Sequence, residues 1–117
     1  MTVHLEGIED FSNLQNENKE KLIVIDFFAK WCGPCKRIAT AYEELQTVFP
    51  NVVFVKVDVD VAEDLTKKFK VSSMPTFVFV KDGIELERMS GVNLSKLIMI
   101  VQKYESIENP DENEPNA

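Results

Sequence analysis

Cysteine, histidine and tryptophan are scarce in this chain: 117 residues hold two cysteines, one histidine and one tryptophan. In an intracellular protein so few cysteines point to a catalytic or metal-binding pair rather than a structural staple. A complete zinc site needs about four ligands, and the only other soft ligand, His4, lies far from the cysteines in sequence. Positive charge is in deficit as well, with 13 Lys and Arg against 20 Asp and Glu and a net charge of −7. That balance argues against non-specific binding to nucleic acid or to an anionic membrane. No apolar run approaches the length of about 18 residues that would span a bilayer. The opening Met1-Thr2-Val3-His4-Leu5-Glu6 lacks the charged and apolar regions of a secretory signal, so the cytoplasm is the expected compartment. No internal repeat is visible.

What is present suits one soluble globular domain. The apolar fraction is 44% and the charged fraction 28%, ordinary values, and the length allows one core rather than two. The composition changes near the end. Glu105 to Ala117 contains five acidic residues, two prolines, no Lys or Arg, and a single large apolar side chain, Ile107. Such a segment cannot bury enough to offset its ordering entropy. The expected division is a domain over 1–106 and a flexible acidic tail over 107–117, which serves as a solubilising appendage or as a docking segment.

Periodicity supplies the elements. Val3-His4-Leu5 reads as a short edge strand, and Ile8, Phe11 and Leu14 mark a first helix. Leu22 to Phe28 is an apolar, β-branched and aromatic run, the mark of a buried strand. Ile38, Ala41, Tyr42, Leu45, Val48 and Phe49 recur at spacings of three and four, giving an amphipathic helix from about Pro34 to Phe49 that Pro50 ends. Val52 to Asp58 is a second buried strand, and Val61, Leu65 and Phe69 share one face of a short helix over 61–69. Thr76 to Lys81 and Ile84 to Ser90 form a hairpin around Asp82-Gly83. Leu94, Leu97, Ile98, Val101 and Tyr104 line a closing helix capped by Asn93. Parallel βα units followed by a hairpin predict an α/β protein with a central mixed sheet and helices on both faces.

The chemistry gathers at Phe28-Ala29-Lys30-Trp31-Cys32-Gly33-Pro34-Cys35-Lys36, where a strand ends and a helix begins. Side chains three apart in a helical turn stand about 5–6 Å apart at Cβ. A disulfide needs about 3.5–4.5 Å, so a small adjustment opens or closes the pair. Pro34 suits a first turn, where a missing N–H costs nothing, and Gly33 leaves the backbone open to another chain. Cys32 faces free backbone N–H groups and the positive end of the helix dipole, which favour thiolate. Cys35, one turn in, is expected to be more covered and less acidic. A redox couple, a structural disulfide and half of a zinc site all remain open from this spacing alone. Asp26 interrupts the apolar strand and either faces water or is buried with a raised pKa.

Trp31-Cys32-Gly33-Pro34-Cys35-Lys36 resembles the active-site signature of the thioredoxins. The resemblance extends over about residues 3–105 through Asp26, Lys56-Val57-Asp58-Val59-Asp60, Met74-Pro75-Thr76-Phe77 and Ser90-Gly91-Val92-Asn93. It implies the thioredoxin fold, with about five strands flanked by about four helices. It also implies a protein-disulfide reductase in which the Cys32 thiolate attacks a substrate disulfide and Cys35 resolves the mixed disulfide. Asp26 is then the general acid/base for Cys35, through water, and Lys56 lies close enough to modulate it or remains a solvated lysine. Pro75 follows a cis bond, and the Met74 backbone pairs with substrate in strand fashion. Trp31, Gly33, Pro34, Gly91 and Val92 complete a shallow apolar surface around Cys32. No bound cofactor or metal is implied. Electrons come from NADPH through thioredoxin reductase, and disulfide-containing proteins, such as peroxiredoxin-like targets, are the substrates of a monomer.

Four departures from the family pattern bear on tuning. Phe28 stands in place of a second tryptophan, Thr40 in place of a helix-kinking proline, Lys30 adds a charge beside the motif, and Ser73 excludes a disulfide dimer through that position. Two other readings are carried forward. A disulfide isomerase or oxidase domain usually has histidine before the second cysteine, where this chain has Pro34. A redox-dependent binding module would keep its partner without turnover.

Overall fold

The structure, a computed structural model, describes residues 2–106; the proposed tail over 107–117 lies outside the described residues. The element order is β1 (Val3–His4), α1 (Ile8–Glu17), β2 (Ile23–Phe28), α2 (Gly33–Val48), β3 (Val53–Asp58), α3 (Glu63–Lys68), β4 (Thr76–Lys81), β5 (Ile84–Ser90) and α4 (Leu94–Tyr104). The five strands form one sheet in the order β1-β3-β2-β4-β5. β1 and β2 each run parallel to β3, whereas β4 is antiparallel to both β2 and β5. This is the expected mixed sheet of five strands with four helices.

β2 is central, and its alternation distributes the core. Ile23, Ile25 and Phe27 join Phe11 of α1 and Leu65 of α3 in one apolar cluster. Val24 joins Ile38, Tyr42 and Leu45 of α2 and Leu97 and Val101 of α4 in the other. Successive strand side chains point to opposite faces, so Asp26 shares the Val24 face and is directed toward α2. Each large apolar side chain buried in this way contributes about 1.5–3 kcal/mol. The central strand therefore holds the position of everything that follows it.

Local chemistry accounts for the boundaries. Asp82 and Gly83 both take positive φ, 49° and 77°, the geometry a two-residue hairpin demands. An extra residue in β5 shifts the ladder between Phe79 and Val80. Asn93 caps α4 as expected, its Oδ1 accepting from the Lys96 N–H at 3.0 Å. Three expectations need correction. α3 starts at Glu63, not 61, because the N–H groups of Val61 and Ala62 turn back to the Asp58 carbonyl at 3.0 and 2.9 Å. Ala62 is thereby buried, while Val61 is 58% exposed. Val48, in the last turn of α2, is exposed rather than part of the stripe, and on α4 Ile100 is buried with Leu97 and Val101 while Leu94 is exposed. No helix of the described residues is long and apolar enough to cross a membrane.

Candidate active site

β2 delivers the chain to Phe28, and four residues later Cys32 becomes the N-cap of α2. Its extended backbone (φ −88°, ψ 111°) turns the sulfur over the first helical turn, where the Cys35 N–H donates to it at 3.2 Å. An N-cap side chain ordinarily supplies an oxygen to these unpaired donors; here the acceptor is sulfur. The same donors and the helix dipole stabilise negative charge on Cys32 when the disulfide opens. Pro34 occupies the first turn, as its missing N–H allows. Cys32 and Cys35 are joined as a disulfide with a Cα–Cα distance of 5.3 Å, within the usual range.

Burial does not separate the two cysteine residues as expected. Cys32 is 5% and Cys35 4% exposed, so the expectation of a more open Cys32 needs correction for the disulfide. The reason lies in a loop more than forty residues away. Ala29, Cys32 and Cys35 form a small apolar cluster against which Phe28, Val59 and Met74 pack. The Met74 carbonyl stands 3.6 Å from the Cys32 sulfur. A disulfide sulfur carries no hydrogen, so this is a close approach rather than a bond; a Cys32 thiol would have an acceptor there. The Met74–Pro75 bond is cis. The Pro75 carbonyl accepts from the Gly91 N–H at 2.9 Å, and Gly91 sits at φ 89°, where a side chain would strain the backbone. Met74, Pro75 and Gly91 are thus brought to the pair, with exposed Val92 beside them.

On the surface around this point Gly33 is exposed and Pro34 half-buried. Trp31 is 68% exposed, yet its ring is tethered: the indole N–H donates to Asp60 Oδ2 at 3.1 Å. The Asp60 N–H in turn donates to Asp58 Oδ1 at 3.0 Å. Exposed Val61 follows immediately. Asp60 as a tether and Val61 as added apolar surface were missed from sequence, where Asp60 read only as part of a motif and Val61 as core. No periodic signal could have revealed them, because the β3–α3 turn decides both.

Asp26 is buried, 1% exposed, and its Oδ1 lacks a hydrogen-bond partner. Burial raises its pKa from 3.8 to about 7, and Lys56, its register partner on β3, opposes that rise only partly. The buried alternative therefore holds for Asp26. Lys56 is close to it across the strands, and its ammonium lies over the Phe28 ring, 4.4 Å from the centroid. Above Asp26 on α2, the Tyr42 hydroxyl lies 3.0 Å from the Val24 carbonyl and 2.8 Å from that of Val55. It donates its one proton to either, and burial together with the Asp26 charge pushes its pKa well up. Among the described residues no cluster of three or more His, Cys, Asp or Glu is placed to hold a metal ion.

A cysteine pair at a strand-to-helix junction, faced by a cis-proline loop and preceded on the same strand by a buried carboxyl, defines a thiol–disulfide oxidoreductase. Comparison with known proteins makes the class specific. The thioredoxin family model matches residues 3–103. Thioredoxin-1 of Caenorhabditis elegans is 51% identical over 82 residues, covering 70% of this chain and 71% of its own length. The X-ray structure of Fasciola hepatica thioredoxin superposes with a TM-score of 0.88 at 48% identity, covering 89% of this chain and 100% of that one. A further structure, from work on thiol resolving in yeast mitochondrial 1-Cys peroxiredoxin through glutathione and thioredoxin systems, gives a TM-score of 0.80 at 36% identity, over 87% and 94% of the two chains. The chain belongs to the thioredoxin family. It is a protein-disulfide reductase whose redox centre is the Cys32–Cys35 pair.

Proposed function

We propose that this chain takes electrons from an NADPH-dependent thioredoxin reductase and passes them to protein disulfides in the cytoplasm, acting as a monomer. Peroxiredoxin-like proteins are among the substrates, a reading supported by the peroxiredoxin named with one structural relative. A reducing compartment suits a chain whose only cysteines are its redox pair. The observation that carries the mechanism is the Cys32 sulfur at the head of α2, 3.2 Å from the Cys35 N–H and 3.6 Å from the Met74 carbonyl.

Substrate docks on Trp31, Gly33, Pro34 and Val92, with an extended backbone against Met74 and Pro75 and Gly91 leaving room for it. The Cys32 thiolate attacks one substrate sulfur, forming a mixed disulfide and releasing the other as thiolate. Cys35 gives its proton to Asp26 through water. Its thiolate then attacks the Cys32 sulfur, closes the Cys32–Cys35 disulfide and releases the second substrate sulfur. Two electrons have moved from the dithiol to the substrate. Asp26, with a pKa near 7, is matched to that proton transfer at neutral pH, and Lys56 modulates it. Thioredoxin reductase returns the two electrons.

The test is the reduction potential of the pair, followed by the fluorescence of Trp31, the only tryptophan. Thioredoxins are known to lie near about −270 mV and protein disulfide isomerase near about −180 mV. A two-electron transition near the first value, with NADPH consumed when thioredoxin reductase and a disulfide substrate are added, is the expected result. A value near the second overturns the reading in favour of an oxidase or isomerase. No reversible transition leaves a binding module.

A further inference from the structure

A cleft of about 370 Å³ opens beside Cys35, within the size range of small-molecule sites. Its apolar part is Phe28, Ala29, Ala39 and Cys35, and its polar part is three lysines, Lys30, Lys36 and Lys56. It shares no lining residue with the surface formed by Trp31, Met74 and Val92. In a chain of net charge −7, no carboxylate lines it.

The three charges there differ in their engagements. Lys56 lies over Phe28, whose ring also meets the His4 ring edge-on with centroids 5.6 Å apart. Neither Lys30 nor Lys36 has an ion-pair partner among the described residues. An adjoining hollow shares Ala39 and Lys56 and adds His4 and Glu43; Glu43 already has an interaction of its own. Of the buried acids on these strands, Asp26 interacts with Lys56 and Asp58 is the register partner of Phe28.

We propose that this cleft binds a small organic anion, its apolar body on Phe28 and Ala39 and its acidic group among the ammonium groups of Lys30, Lys36 and Lys56. Like charges converging on a concave, partly apolar surface focus the local potential and attract a ligand of opposite charge. The apolar floor then selects against a bare inorganic ion. Phe28 permits this geometry: its ring contributes the floor and orients Lys56 by a cation–π contact.

The test is a titration of the full, oxidised, isotope-labelled chain, followed by amide shifts, with phenyl phosphate as the probe. Inorganic phosphate and benzyl alcohol each carry one half of its chemistry. Saturable shifts at the amides of Phe28, Ala29, Ala39 and Lys56 are expected with phenyl phosphate, at least about tenfold tighter than with either half-probe. The double substitution Lys30→Gln/Lys36→Gln weakens binding about three- to tenfold. Ala39→Leu, which keeps a good helix former and fills the floor, abolishes the saturable shifts, with thermal unfolding as the check on the fold. Inorganic phosphate binding the same amides equally well overturns the proposal, because charge alone then explains it. So do shifts centred elsewhere, or binding that survives Ala39→Leu. No turnover is read, so failure here leaves the reductase assignment standing.

Discussion

The two flanks of the disulfide differ in kind. One is a shallow apolar surface around Cys32, made by Trp31, Gly33, Pro34 and the Met74–Pro75 and Gly91–Val92 loops. The other is the lysine-lined cleft against Cys35, with buried Asp26 on the strand behind it. Both cysteines are buried as residues, and their surroundings set them apart. What differs is the neighbourhood: a backbone donor and the Met74 carbonyl at Cys32, a lysine-lined cleft at Cys35. A symmetric bond is thus placed in an asymmetric setting, and the proposed division of roles between the two sulfurs rests on that asymmetry.

Breaking one sulfur at a time is the strongest attack on that comparison. Cys32→Ser should lower disulfide-reductase turnover more than about 10³-fold, as loss of a nucleophile does, with no covalent adduct. Cys35→Ser should keep the first attack and accumulate a mixed disulfide, visible on a non-reducing gel. If both variants trap substrate, or neither does, the two flanks have no separate roles.

Removing the carboxyl behind Cys35 should have the next largest effect, and it has a direction in pH. Folded Asp26 keeps its proton up to about pH 7, whereas the unfolded group loses it near 3.8. Between those values the folded chain binds more protons, so the Asp26 contribution to stability falls as pH rises. The full loss is about 4 kcal/mol. Asp26→Asn should therefore match the native chain near pH 4 and exceed its stability by up to about 4 kcal/mol at pH 8, measured by urea unfolding of the oxidised forms. The same variant should slow the resolving step about 10²-fold or more near neutrality. Equal pH profiles for variant and native chain would place Asp26 in contact with water.

A smaller effect probes the docking flank. Trp31→Ala should raise KM for a protein disulfide about tenfold with kcat nearly unchanged, because an exposed aromatic anchor contributes binding rather than chemistry. A fall in kcat at constant KM would instead assign the indole to the reacting sulfurs.

Much of this was legible in residue order because the signals are local. Pro34 one residue into a helix, Asp82-Gly83 between alternating strands and Asn93 before an apolar stripe each specify their own backbone. The family likeness added the expected neighbours of Cys32 without needing any periodicity. Val61 and Val48 went wrong for a related reason: helical spacing tells which side chains share a face but not where the face stops. Asp60 gave no local sign that it would hold Trp31, since the two are joined across 29 positions by one hydrogen bond.

By itself the amino-acid sequence determined the strand–helix junction, the two sulfurs one turn apart and the alternation that puts Asp26 on the same face as Val24. These depend on backbone geometry over a few residues, which composition and spacing control directly. Tertiary structure alone decided that Asp26 is desolvated, that Met74 covers Cys32, that Asp60 holds Trp31 and that three lysines converge beside Cys35. Those outcomes require groups from separate strands and loops to meet, and a pKa or a cleft exists only once water has been excluded between them.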